Sequence, residues 1–300
     1  LGLPPTPTLA ESTAPQGIDD SDWERRARNR TPSARWIGWR LRGLVLAALL
    51  GCLAMFVLIR ALSQQPILDQ RVAVDERGGM RLAGQGPQPL AGLLDGAGRV
   101  QPIDRLLLQR SARWMVNDAD RERHRQQHDL LAAALQRGQA QFVTAGEART
   151  IAVGTMPRAA AGLGWVFWLV STLALLLYLV TMVVLMARPG QRNALYALMA
   201  SAQCGNLVFV AVLSTPGIGW PEGLMRWEHD ARSAFDLITA GALAHVSNLH
   251  PRRLPQWRHR AVLSWLAVAA VIVLVTLVRV PYSWWLTQCT LLAAGGIAIA

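Results

Sequence analysis

The run GLVLAALLGCLAMFVLI, residues 43–59, decides the fold of this chain. It contains no charged residue, and Trp36, Trp39 and Arg42 stand just before it. About 20 apolar residues cross the hydrocarbon core of a bilayer as a helix, and flanking Trp and Arg side chains extend a shorter run into the interface. The sequence therefore predicts a transmembrane helix over residues 36–62.

The composition of the whole chain also indicates a membrane protein. Hydrophobic residues make up 52% of the 300 residues and charged residues only 16%, whereas soluble domains carry about 25% charged residues. The net charge is +11, and every basic residue is arginine. Because most of these arginines stand beside apolar runs, they favour orientation in a lipid bilayer over nucleic-acid binding.

Five further apolar runs follow a long polar segment. We predict spans at about 163–187, 194–214, 233–249, 261–278 and 282–300. They form a five-helix block over residues 162–300, and the run at 233–249 is the weakest because polar residues interrupt it. The last run reaches Ala300 without a flanking charge and the chain starts with Leu1, so we expect the natural protein to extend beyond both ends. The predicted fold class is a mainly α, polytopic membrane helix bundle of about six spans.

The distribution of arginine predicts the orientation of these spans. With the N-terminus in the cytoplasm, the inside flanks hold thirteen arginines and the short outside loops hold three. An excess of positive charge marks the cytoplasmic side. Residues 1–35, rich in Pro, Ser, Thr and Arg, are predicted to be a disordered basic tail on that side.

With this orientation, residues 63–161 form one small α+β domain outside the cytoplasm. Strands are predicted at 71–75, 80–84 and 150–153, with a further strand or turn within 90–104. A helix is predicted over Asp118–Arg137, because acidic residues occupy its first turn and Gly138 follows its end.

The stretch RERHRQQHDLL, residues 121–131, lies on that helix and allows three interpretations. It resembles the box that carries the phosphorylated histidine in bacterial sensor kinases, and His124 and His128, four residues apart, could also bind a metal. However, its Glu-Arg pair at 122–123 is too close to the His-Asp pair, ATP is absent outside the cytoplasm, and zinc needs three or four ligands. We expect a half-buried or solvated helix face. A second His-Asp pair, at 229–230, lies in a predicted outside loop and is excluded as a phosphoacceptor for the same reason.

Polar residues inside the predicted spans form the candidate site. Asp236 and His245 point to opposite faces of one helix, whereas His245 and Asn248 share a face. Gln203 and Asn206 in the preceding span are candidate partners from a neighbouring helix. Since ionisable groups within a bilayer cost free energy, two alternatives stay open: polar contacts that hold helices together, or a sensing or ion-conducting site.

The sequence identifies no catalytic, cofactor-binding or metal site. It contains no P-loop, no G-x-S-x-G motif and no Gly-rich ATP lid. Cys52, Cys204 and Cys289 each lie in an apolar run and are interpreted as small buried hydrophobic residues. These 300 residues therefore do not by themselves indicate an enzyme.

The order of the parts is similar to that of the N-terminal sensory half of multipass bacterial sensor histidine kinases. A basic tail, one span, an outside domain and a multi-helix block follow each other in both. The stretch LLDGAGRVQPID, residues 93–104, and the polar helix after it resemble the PDZ-like outside domains of some such kinases. The resemblance implies the bacterial inner membrane and a homodimer. It also implies that ATP, Mg²⁺ and a response regulator bind only a kinase region absent from these residues.

The expected function is thus the sensory input of a two-component signalling kinase. Two alternatives stay open: the sensory half of a different signalling enzyme, and a transporter or membrane scaffold. Many transporters contain repeated halves, but no repeat relates the second and third spans to the fifth and sixth. The single large outside domain also favours a receptor.

Overall fold

The computed structural model describes residues 34–76, 78–84, 88–146, 149–249 and 255–299. The predicted disordered tail lies almost wholly outside the described residues, and so do Arg252 and Arg253, two of the arginines that predict the orientation. Within those ranges the chain is mainly helical, with seven α-helices and a small antiparallel sheet domain.

Five strands form an antiparallel sheet in the order β1-β7-β6-β4-β5, and two form the hairpin β2–β3. The strands are β1 Pro66–Leu68, β2 Val72–Val74, β3 Met80–Leu82, β4 Leu90–Leu94, β5 Val100–Pro102, β6 Gln139–Thr144 and β7 Thr150–Pro157. The predictions for β2, β3 and the start of β7 are confirmed, whereas β1 and β6 were not predicted. Strand β6 nevertheless alternates, with Ala140 and Phe142 buried beside exposed Gln139 and Gln141.

Helix α2, Asp118–Gln136, packs against this sheet and agrees with the predicted helix. Asn117 caps its start by accepting a hydrogen bond from the Ala119 N–H at 3.0 Å. Gly138, with φ of 84°, reverses the chain after its end. The core between helix and sheet includes Leu93, Leu131, Leu135, Phe142 and Val153, all at most 2% exposed.

Four helices of the described chain are long and apolar enough to cross a membrane. They comprise Gly38–Ser63 of α1 (Ala34–Ser63), α3 (Trp165–Ala187), α4 (Gln191–Ser214), and α6 (Trp257–Val273) with its π-helical continuation Leu274–Val278. Large apolar side chains on them, such as Leu49, Phe56 and Leu266, are about 60% exposed. A dense array of exposed apolar side chains is stable in lipid and not in water. These helices indicate a membrane-embedded protein.

The other two predicted spans are not among these four, so the count of about six is not confirmed. Helix α5 is Glu222–Ser247, and its first part was predicted to be an outside loop before the span 233–249. That prediction is wrong: the helix extends because its N-terminal half packs on the sheet domain. Charged residues such as Arg232 and Asp236 interrupt its apolar sequence. Helix α7, Ser283–Ile299, has 17 described residues.

One hydrophobic core joins several helix ends beside the sheet domain. It includes Leu62 at the end of α1, Phe167 at the start of α3, Leu213 at the end of α4, and Trp220 just before α5. This end of the bundle is C-terminal for α1 and α4 and N-terminal for α3 and α5. Helices α3, α4 and α5, which follow one another in sequence, are therefore each antiparallel to the next.

Candidate functional site

A short segment of the sheet domain, residues 109–115, packs against the N-terminal half of α5. The Ser111 hydroxyl donates to Glu228 Oε1 at 2.6 Å, and the Ala112 N–H donates to Oε2 at 3.2 Å. Glu228 is fully buried and also accepts from Arg232 Nη1 at 2.9 Å. A buried ion pair is tolerated only when further hydrogen bonds satisfy it, and residues 109–115 supply two of them.

A second set of polar contacts runs from this segment deeper into the bundle. Arg113 Nη2 donates to Asp236 Oδ2 at 2.5 Å, and Asn206 Nδ2 of α4 donates to Asp236 Oδ1 at 2.9 Å. The Arg113 guanidinium also lies 4.9 Å from the centre of the Trp114 ring, in a cation–π contact. Burial lowers the pKa of Arg113, and the charge of Asp236 opposes that effect. These hydrogen bonds connect the sheet domain to α5 and α4.

The five polar residues predicted as candidate site residues are split between several places. Asn206 and Asp236 meet in the middle part of α4 and α5. Gln203 donates to Thr239 Oγ1 at 2.9 Å. Both candidate partners on α4 thus bond to α5, with Asp236 and Thr239 as their acceptors.

His245 and Asn248 lie at the C-terminal end of α5. The His245 Nε2 atom is 3.2 Å from Gln191 Nε2, and Trp265 Nε1 donates to His245 Nδ1 at 3.1 Å. Asn248 donates to the Ala244 carbonyl at 2.6 Å, one turn back on its own helix. These two residues therefore stand apart from Asp236 and do not form a single site with it.

The prediction of a half-buried or solvated face for His124 and His128 is wrong, because both rings are buried. Their ring centres lie 4.4 Å apart. His124 Nε2 lies 2.8 Å from the Gln109 carbonyl oxygen, and the Trp220 N–H donates to His128 Nδ1 at 3.3 Å. Burial lowers the pKa of both rings, that of His128 to about 3. Segment 109–115 and the loop before α5 cover this face, which the helix sequence alone does not reveal.

No group of three or more His, Cys, Asp or Glu side chains that could hold a metal ion occurs among the described residues. No carboxylate of the described residues hydrogen-bonds to the buried histidine pair. Its partners are backbone groups, so it acts as a structural link between α2 and the loop before α5.

A cleft of about 670 Å³ opens beside these two sets of polar contacts, and we name it the junction cleft. Its walls are helix α2, the first turns of α5, and the connection between α6 and α7. Its lining contains four arginines and three acidic residues. These residues are far apart in sequence and meet only because the sheet domain packs on the bundle.

Two of the four arginines in the junction cleft have partners. Arg121 pairs with Asp118 and donates to Ser283 Oγ at 2.8 Å. Arg125 donates to Glu122 Oε1 at 2.5 Å. Their charges are therefore largely compensated within α2 and its surroundings.

The side chains of the other two arginines, Arg226 of α5 and Arg279 after α6, form no hydrogen bond or ion pair with any residue that the structure describes, and both residues are exposed. Asp230 lies beside them and is half-buried. Burial raises the pKa of Asp230, while Arg279, Arg121 and Arg226 act to lower it. The sequence prediction placed the pair 229–230 in a loop and missed this cluster, because α5 was expected to start later.

The backbone at the α6–α7 connection has an unusual shape. Helix α6 ends in the π-helical turn Leu274–Val278, and Arg279 and Tyr282 both adopt positive φ, 55° and 61°. The Tyr282 N–H donates to Asp118 Oδ2 at 2.7 Å and ties the connection to α2. Positive φ is uncommon outside glycine, and such backbone and π-helical turns occur often at functional sites.

No family model, no curated protein and no solved structure matches this chain.

Proposed function

We propose that this chain is the membrane-embedded sensory input region of a two-component sensor histidine kinase. It relays an extracytoplasmic or membrane stimulus to a cytoplasmic output that these 300 residues do not contain. About six helices cross a bacterial inner membrane, with the N-terminus in the cytoplasm and the sheet domain outside. ATP, Mg²⁺ and the response regulator bind the output region, and the working unit is a homodimer.

The observation that carries this proposal is the hydrogen-bonded series Arg113–Asp236–Asn206. It joins the sheet domain to α5 and α4 through two direct hydrogen bonds. A movement of segment 109–115 must either break these buried bonds or move α5, and breaking a buried pair is costly. Such a linkage can bias two packings of the helices, which is how a stimulus on one side of a membrane alters the other.

The helix ends that meet at the sheet domain support the six-span arrangement. They are the N-terminal ends of α3, α5 and α7 and the C-terminal ends of α1 and α4. At the opposite end, His245 in the C-terminal part of α5 lies near Gln191 at the start of α4 and stacks on Trp257 at the start of α6. This alternation is what six antiparallel crossings from a cytoplasmic N-terminus produce.

The test is phosphorylation of the natural full-length protein in proteoliposomes supplied with ATP and Mg²⁺. We expect acid-labile phosphate on the protein, and a rate that Arg113→Gln changes by about fivefold or more. Arg105→Gln is the matched control, because Arg105 is exposed on the same domain and its side chain forms no hydrogen bond or ion pair within the described ranges. Absence of phosphorylation, or equal rates in both variants, would contradict the proposal. Solute flux in vesicles would favour a transporter instead.

A further inference from the structure

We infer that the junction cleft binds a small organic carboxylate that also carries a hydrogen-bond donor and an apolar group, such as an α-amino acid with an apolar side chain. The binding itself requires only the cleft. The further statement that this ligand is the stimulus rests on the proposed function.

The size of the cleft suits such a ligand. Its volume of about 670 Å³ lies in the range of about 300–1,000 Å³ that is usual for small-molecule sites. It is bounded by three separate parts of the chain, so a ligand within it contacts the sheet domain and the helix bundle together.

Two arginines supply the anion-binding groups. Arg226 and Arg279 come from different walls of the cleft, and their guanidinium groups form no hydrogen bond or ion pair with the residues described. A guanidinium presents paired N–H donors that match the two oxygens of a carboxylate. Because Arg121 and Arg125 are already paired, these two side chains remain available for a ligand.

One acidic residue sets the remaining polarity of the site. Asp230 lines the same cleft as Arg226 and Arg279, and the charges of both arginines act on it. The four arginines and three acidic residues of the lining leave a net charge of +1, which suits a monoanion. A doubly charged phosphate would be repelled by Asp230, whereas a ligand with an ammonium or hydroxyl group can donate to it.

Apolar residues also line the junction cleft near Arg226 and Arg279. Val275 from the π-helical turn of α6, Val280 and Pro281 from the α6–α7 connection, and Met225 from α5 line the same cleft. Burying an aliphatic group against them removes apolar surface from water, which is favourable. An aliphatic side chain therefore adds affinity that the charged groups alone do not supply.

The cleft also has a direct route to the helices. A carboxylate held by Arg226 and Arg279 bridges α5 to the α6–α7 connection, and the Tyr282–Asp118 hydrogen bond already joins that connection to α2. Binding therefore favours whichever helix packing brings these walls closest. The positive φ of Arg279 fixes the backbone that carries one of the two binding groups.

The experiment measures binding by titration calorimetry to this chain in lipid nanodiscs, without any output region. The probes are L-leucine, L-valine and L-phenylalanine, with 4-methylpentanoate, which lacks the ammonium group of leucine, 3-methylbutylamine, which lacks its carboxylate, and inorganic phosphate. We expect at least one amino acid to bind more tightly than the last three probes. If no amino acid binds at millimolar concentration, or if phosphate binds most tightly, the inference is overturned.

Three variants identify the site. Arg226→Gln and Arg279→Gln should each weaken amino-acid binding about tenfold, the usual loss for a charge-assisted hydrogen bond. Asp230→Asn should remove the preference for leucine over 4-methylpentanoate. The control Arg105→Gln, outside the cleft lining, should bind as the unchanged chain does. Equal affinities in the control and both arginine variants would overturn the assignment.

The outcome is separable from that of the phosphorylation assay. Binding that depends on Arg279, in a full-length protein that shows no phosphorylation, would keep the site and remove the kinase proposal. Phosphorylation that responds to an amino acid which does not bind this chain would keep the kinase proposal and remove the site.

Discussion

The substitution Glu228→Gln tests whether the polar contacts between segment 109–115 and α5 stabilise the protein. Glu228 and Arg232 are 0% and 5% exposed. Glutamine has nearly the volume of glutamate, so the change removes a charge without opening a cavity. It leaves Arg232 buried with a neutral partner, and the Ser111 hydroxyl or the Ala112 N–H loses an acceptor oxygen.

The expected loss of unfolding free energy is about 4 kcal/mol. Removing one partner of a buried ion pair costs about 3–5 kcal/mol, because the other charge stays uncompensated. Solvent does not screen this effect, because both side chains are almost fully enclosed. Adding Arg232→Met removes the uncompensated charge, and the double variant should return to within about 2 kcal/mol of the original chain.

The assay is unfolding by SDS titration in mixed micelles, followed by the fluorescence of the chain's 12 tryptophans. Asp120→Asn is the control, since Asp120 pairs with the exposed Arg123 and exposed pairs contribute less than about 1 kcal/mol. The reasoning is refuted if Glu228→Gln costs no more than Asp120→Asn. It is also refuted if the double variant is no more stable than Glu228→Gln alone.

Three further predictions concern topology, pH and helix packing. A phosphatase fused near Gln126 should be active and a green fluorescent protein fused there dark; the reverse pattern would remove the proposed topology. Burial lowers the pKa of His128 from 6.5 to about 3, so between these values the unfolded chain binds more protons. Stability should therefore fall by up to about 1.4 kcal/mol per pH unit below pH 6.5, and melting curves of His128→Gln should depend less on pH. If the stability of His128→Gln and of the original chain changes equally with pH, this account is wrong. Gly205→Ala puts a Cβ atom 2.5 Å from Phe235 Cε2 and should destabilise the α4–α5 contact by about 1–3 kcal/mol. Gly295→Ala, whose Cβ meets nothing within 4 Å, is the control, and equal melting temperatures would show that α4 and α5 separate easily.

The elements that the sequence predicts well are those with local signals. Helix α2 has a capping residue, acidic residues in its first turn and a glycine after its end, and its observed bounds agree with the prediction. The apolar runs at α1, α3, α4 and α6 are equally local, because hydrophobic length is visible in a single window. Strand β6 was missed although Ala140 and Phe142 alternate with glutamines, since alanine and glutamine are weak strand formers.

The contacts between segment 109–115 and α5 could not be predicted, because the residues that form them are distant in sequence. Ser111 and Glu228 are separated by 117 residues, and Arg113 and Asp236 by 123. Asp236 was identified from the general cost of a charge in a membrane segment, which shows that a partner is needed but not which one. Arg279 carries no signal at all, because a single arginine in a short loop is common at a membrane surface.

The charges on α5 explain why the sheet domain and the bundle depend on each other. A charged side chain costs about 2.5–3.5 kcal/mol at the centre of a membrane helix, so Arg232 and Asp236 disfavour α5 as an independent span. In the folded protein Arg113 pairs with Asp236, and Ser111 and the Ala112 N–H stabilise the buried carboxylate that pairs with Arg232. The position of α5 in the bundle is therefore stabilised by residues of the sheet domain. Any ligand or substitution that displaces segment 109–115 changes the free energy of α5 directly, without a further intermediate element.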